Sequence, residues 1–180
     1  MFYQLNRPRE TELDIKEFLE GAKHAMPATM LALYSREFAD AVSGALPISD
    51  SSAAHQLKQY LKPKMFNDYI KSMKSSAAAG VRLELQQVEL HNAHLIGVDF
   101  QRVPVRSTTN SNGAFVVGVP TQERLKLQVL FGLTEHFAVE YPNEKSTVVR
   151  TTESVWQFES AVTTPDEIDW TIEPLQLTTV

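Results

Sequence analysis

The sequence predicts an α+β fold, with N-terminal helices packed on one face of a curved antiparallel sheet. Three observations carry that reading. Apolar residues recur at helical spacing up to Gly80, and from Val81 onward they recur at a period of two. Segments rich in Ser, Thr, Asn, Gly and Pro separate the later stretches closely enough for hairpins, leaving no room for helical crossovers between them. At 180 residues the chain has the length of one domain, able to bury roughly 70% of its unfolded surface. We place an N-terminal extension over residues 1–12 and a single α+β domain over 13–180.

The first element is a helix. Thr11 with Asp14 three residues on resembles a capping box. Ile15, Phe18, Leu19, Ala22, Met26, Met30 and Leu33 then share one arc, with Lys16, Glu17, Glu20, Lys23 and His24 opposite. Pro27 lies on the outer side, where it predicts a kink. A second helical stretch over 35–45 ends before Pro47, and 48–54 reads as a loop. A further helical stretch is broken at Pro63, a residue suited to a first helical turn. Beyond it Met65, Phe66, Tyr69, Ile70 and Met73 form an apolar face and Lys64, Asn67, Lys71 and Lys74 a polar one.

After Gly80, Val81, Leu83 and Leu85 alternate with Arg82, Glu84 and Gln86, the signature of a half-buried strand. Further strands are predicted over 93–103, 114–119, 124–131, 135–141, 147–162 and 168–177. The connectors 107–113, 141–146 and 163–169 carry turn chemistry, and Gly132 marks a bulge or bend.

Composition excludes several classes of function. With no cysteine there is no disulfide scaffold, thiolate zinc site, iron–sulfur cluster or cysteine nucleophile. A net charge of −5 argues against the whole protein being a nucleic-acid binder. The charge is uneven: residues 1–75 carry +1 and residues 76–180 carry −6. No apolar run reaches the roughly 20 residues of a membrane span, and the N-terminus reads as neither signal nor transit peptide. Nucleophile-elbow, dinucleotide and phosphate-loop motifs are missing. His91 and His94 are spaced to face opposite sides of a strand, and His24 and His136 read as solvated or singly hydrogen-bonded. Glu135 with Glu140, and Asp166 with Glu167, read as edge and turn residues.

Two groups of residues remain as candidate surfaces. Lys58, Lys62, Lys64, Lys71 and Lys74 fall in a stretch of 17 residues whose only acid is Asp68. They form a solvated helix face, a dock for an anionic lipid surface such as cardiolipin, or a contact for a phosphate backbone or acidic partner. The strand aromatics Phe131, Trp156, Phe158 and Trp170 either fill the core or line a pocket at the mouth of the sheet.

Two segments resemble a known family. One is FLEGAK from Phe18 to Lys23, with the later Arg36–Phe38 segment; the other runs from Glu153 to Leu177 and holds ESVWQFES and DWTIEPLQL. Together they resemble the Tim-forty-four-like domain, shared by the mitochondrial import-motor subunit, a mitochondrial large-subunit ribosomal protein and a partner of the matrix AAA protease. Trp156, Phe158, Trp170 and Ile172 match that pattern, while Ser160 stands where the family usually has arginine. The resemblance implies a cone of the nuclear-transport-factor-two-like kind and a non-catalytic adaptor or scaffold subunit. It implies a place on the matrix face of the mitochondrial inner membrane, within a ribosome, translocase, protease, respiratory or ATP-synthase complex. Its partners would be protein subunits, an anionic lipid surface or, in a ribosome, RNA, with no small-molecule substrate and no cofactor. The chain lacks the chaperone-binding region and membrane-docking helices of the motor subunit, which speaks against the motor role. The rival reading is a small-ligand-binding or enzymatic domain using a cone pocket, with His136 or Asp99 in a polar dyad.

Overall fold

A computed structural model describes residues 13–104, 121–163 and 168–178. The fold is α+β, with four helices against one open four-stranded sheet. The strands are β1 (Arg82–Pro104), β2 (Thr121–Tyr141), β3 (Glu144–Ala161) and β4 (Thr171–Thr178). They follow in the order β1-β2-β3-β4, each antiparallel to its neighbour. The stretches expected as strands over 81–86 and 93–103 are two ends of β1, and those over 124–131 and 135–141 are two halves of β2. Gly132 sits within the continuous β2. The strand expected over 114–119 and the turn over 107–113 lie outside the described residues.

The sheet takes its shape from β1. Its pairing with β2 shifts between Leu85 and Gln87, Leu90 and Asn92, and Leu95 and Gly97. Each shift leaves one residue (Gln86, His91 and Ile96 in turn) with no partner on β2. Such bulges bend the strand and increase its twist. They also correct the register, because a one-residue slip would otherwise turn every later side chain to the opposite face. Leu85, Val88, Leu90, Ala93, Leu95, Val98 and Phe100 therefore all stand opposite the buried odd-numbered positions of β2, from Phe137 back to Leu125. At the middle bulge the Gly132 N–H donates to Asn92 Oδ1 at 3.1 Å. A Cβ on residue 132 would lie 2.8 Å from the Asn92 amide nitrogen, so only glycine fits beneath that bond.

The helices are α1 (Ile15–Leu33), α2 (Arg36–Ser43), α3 (Ser52–Tyr60) and α4 (Pro63–Ala78). Asp14, rather than Thr11, caps α1; its carboxylate accepts from the Lys16 and Glu17 N–H groups. Pro27 lies inside α1. Ser35 caps α2, which ends at Gly44 in the left-handed conformation with φ 87°. The segment expected as a loop over 48–54 is a 3₁₀ turn (Ile48–Asp50) leading into α3. Ser51 caps the Ala54 N–H, while the Glu37 carboxylate from α2 accepts from the Ser52 and Ala53 N–H groups. That second partner is 15 residues away, beyond the reach of local sequence rules. Pro63 occupies the first turn of α4, as expected.

The predicted arc of α1 packs on the sheet: Phe18, Ala22, Met26, Met30 and Leu33 are buried and Ile15 and Leu19 are half-buried. They meet Leu125, Leu127, Val129, Phe131 and Leu133 of β2 and Trp156 and Phe158 of β3 in one core. Trp156 is fully buried and edge-on to Phe131 at 6.0 Å. Trp156→Ala is expected to cost about 3–5 kcal/mol, read as a lower urea midpoint at unchanged slope.

Candidate interaction surfaces

The two segments that carry the family resemblance meet in space. Phe18 of α1 packs edge-on to Phe158 of β3 at 5.5 Å and lies 4.8 Å from Trp170, which leads into β4. Around this contact a groove of about 450 Å³ opens between α1, the end of α3 and the start of β4. Gly21, Ala25, Tyr60, Ile168 and Trp170 line it, and Asp14 and Glu17 stand exposed beside it. A Cβ built on Gly21 meets nothing within 4 Å. This glycine therefore satisfies no packing demand of the monomer, although glycine inside a helix costs about 0.5–1 kcal/mol relative to alanine; what it provides is open space.

Of the four aromatics singled out from the sequence, Phe131, Trp156 and Phe158 are core residues and Trp170 is half-buried on the groove. A second cavity of about 530 Å³ lies between α1, α2, α4 and the β2–β3 hairpin. Leu33, Val42 and Met73 line it, with Tyr69, Arg82 and Glu140 among its polar members. Arg82 is paired with Asp40 at 3.0 Å, and burial pushes the Tyr69 hydroxyl pKa up. His136 and Asp99 line neither cavity. Their register places them with Gln87 and Lys126, on the sheet face turned away from the helices.

The five lysines divide. Lys64 and Lys74 are exposed on α4, Lys71 pairs loosely with Asp68 at 3.4 Å, and Lys58 stands 5.6 Å over the Phe66 ring. Lys62 has a different job. Leu61 forms a parallel bridge with Ile172, and the Lys62 N–H donates to the Ile172 carbonyl at 3.2 Å. The α3–α4 link thus extends the sheet beyond β4, and strand alternation turns Leu61 inward and Lys62 to the outer face. There Lys62 Nζ bonds Glu159 at 2.6 Å and also bonds Glu173. Lys126 lies 3.3 and 3.4 Å from the same two carboxylates, and Arg124 donates to Glu159 at 3.0 Å. Three cations therefore hold two acids. Only 5% of Glu159 is exposed; burial by itself would raise its pKa, but the bond from Lys62 and the surrounding charges bring it down to about 2. The other four lysines remain on the helix surfaces.

Glu135, expected at a strand edge, is 1% exposed on the helix-facing side. Arg150, its partner in register, binds it through two bonds of 2.8 and 3.0 Å, and Thr152 donates a third at 3.1 Å. Strand parity was the available signal: Glu135 has the same parity as Leu133 and Phe137. Among the described residues no group of three or more acids and histidines is placed to hold a metal ion. No described helix is long and apolar enough to cross a membrane.

Helices layered on one side of an antiparallel meander define the fold class. No family model matches the chain, and no curated protein matches it in sequence. Among solved structures it is similar to the intermembrane space region of the chloroplast protein ARC6. The TM-score is 0.43 at 12% identity, over 90% of this chain and 97% of that one.

The ionic cluster makes a pH prediction. A carboxylate whose pKa is depressed on folding stabilises the fold fully above its unfolded value of about 4.3. That contribution is lost as pH falls toward about 2. Wild type should therefore lose stability more steeply than Glu159→Gln between about pH 5 and pH 2. Urea midpoints measured across that range check it. Lys62→Ala should destabilise the chain at neutral pH and flatten the same acid limb.

Proposed function

We propose that this domain is a non-catalytic adaptor, a subunit that holds neighbouring proteins of a larger assembly on the matrix face of the mitochondrial inner membrane. The observation that carries this reading is the groove beside Gly21. It is apolar, it is built by the residues of the family resemblance, and its wall carries a glycine that costs helix stability and meets no packing demand. A partner's apolar side chains would occupy it. The rival pocket reading loses its named dyad, because His136 and Asp99 lie on the sheet face turned away from the helices, while Phe131 and Trp156 fill the core. Lys58, Lys64, Lys71 and Lys74 supply a basic surface suited to anionic headgroups, each worth on the order of 1 kcal/mol near such a membrane.

Two experiments test the reading. Tagged full-length chain purified from mitochondria in mild detergent should migrate well above its own 20.2 kDa, together with ribosomal, translocase, protease or respiratory subunits. Gly21→Leu, which projects a side chain into the groove, should release those subunits while leaving the melting transition intact. Wild-type migration at the size of the free chain would overturn the proposal. Charge reversal of Lys58, Lys64, Lys71 and Lys74 to glutamate should abolish flotation with cardiolipin vesicles, and undiminished flotation would remove the lipid contact.

A further inference from the structure

The two long edges of the sheet are built differently. β1 is interrupted by three bulges, a device that spoils an edge as a template for another strand. β3 pairs with β2 without a single register shift from Glu144 to Ala161. Its other edge meets β4 only from Glu153 to Glu159. Among the described residues nothing pairs with the outer edge of 144–152. This nine-residue strand reads EKSTVVRTT, is rich in β-branched residues, and carries the exposed Val148 (46%) and Val149 (58%).

From this edge we infer that the chain forms a two-fold dimer by antiparallel pairing of residues 144–152 with the same residues of a second copy. The pairing joins two four-stranded sheets into one of eight. One register pairs more of the free stretch than any other. Two identical antiparallel strands place their two-fold axis through a residue, since opposed residues must turn the same backbone groups toward each other. An axis through Val149 pairs only residues 146–152, because Lys145 of the second copy would fall against Glu153, where Thr178 already sits. An axis through Thr147 pairs only residues 144–150, because the next position outward would be Asn143, in the hairpin turn. An axis through Val148 uses the whole free stretch and no more.

The chemistry of that register is self-complementary. Val148 opposes Val148, Thr147 opposes Val149, Ser146 opposes Arg150, Lys145 opposes Thr151 and Glu144 opposes Thr152. No like charges face each other, and Glu144 lies diagonal to Arg150 of the second copy, a spacing long side chains can bridge. A foreign strand would have to supply that pattern, whereas a second copy already carries it. The dimer is independent of the groove beside Gly21, which lies across the fold against α1 and α3.

Sedimentation equilibrium of the full chain between about 1 and about 100 μM, the range of modest interfaces, tests the inference. Wild type should show a monomer–dimer equilibrium. Val148→Lys sets two ammonium groups directly opposite and should weaken dimerisation about tenfold or more, with an unchanged circular dichroism spectrum. Val148→Glu should do the same, and mixing the two variants should restore dimers, because opposite charges then face each other at the axis. Ile96→Lys on the bulged β1 edge should leave the dimer intact. A monomer throughout, a dimer indifferent to Val148→Lys, or a mixture that stays monomeric would each overturn the inference.

Discussion

The fold depends on a periodicity of five in β1. Residues 86, 91 and 96 are each left out of the ladder, so the inward positions advance by three, then two, then three. A straight strand of 23 residues would either carry its apolar face away from the helices or present a flat surface that four helices could not cover. The bulges solve both problems together by restoring parity and coiling the strand. β2 needs no such correction, because its odd positions from Leu125 to Phe137 stay inward and buried throughout. The helices pack on the curvature that β1 imposes, and the core forms where β2 runs beneath α1.

Charge is arranged around the same two faces. The strand half of the chain carries the excess acid, yet its most buried carboxylates are not free. Glu135 is clamped by Arg150 on the helix side, Glu159 is held by Lys62, Lys126 and Arg124 on the other side, and Glu123 meets Arg102 at 3.1 Å. A buried charge without its partner is costly, so these pairs constrain which elements sit together. Lys62 ties the α3–α4 link to β3 and β4 across 97 and 111 residues of sequence. Net charge by half-chain therefore says little about the surface offered to a partner.

Legibility followed the range of the interaction. The apolar arc of α1, the first-turn role of Pro63, the tight β2–β3 turn and the α+β class are readable, because each is written in the spacing or turn chemistry of residues consecutive in the chain. The continuity of β1 and β2 was not recognised. Alternation tests assume a strict period of two, and Leu85–Val88, Leu90–Ala93 and Leu95–Val98 each violate it; a test for a 2+3 repeat would have joined the two predicted strands. The start of α3 was missed because Glu37 supplies a cap from a different helix. Lys62 reads as one of a lysine cluster on a candidate surface, because its partners Glu159 and Glu173 lie near the other end of the chain. The aromatics were readable as a group, but the separation of Trp170 from the three core rings needed the fold.

The groove and the free β3 edge show how one fold can leave two unsatisfied surfaces of different kinds. On the groove side apolar walls exist without the side chain that would fill them, since Gly21 withholds even a methyl group. On the edge side backbone donors and acceptors exist without a ladder partner. The first kind of vacancy is filled by side-chain shape and tolerates varied partners; the second is filled by backbone geometry and is selective through register. β1 has a longer edge than the free part of β3, and bulges spoil it three times over, whereas the nine residues of 144–152 keep regular pairing. A regular edge bearing two exposed valines risks uncontrolled pairing when left bare. Closed two-fold pairing would remove that hazard, because each copy then covers the free edge of the other.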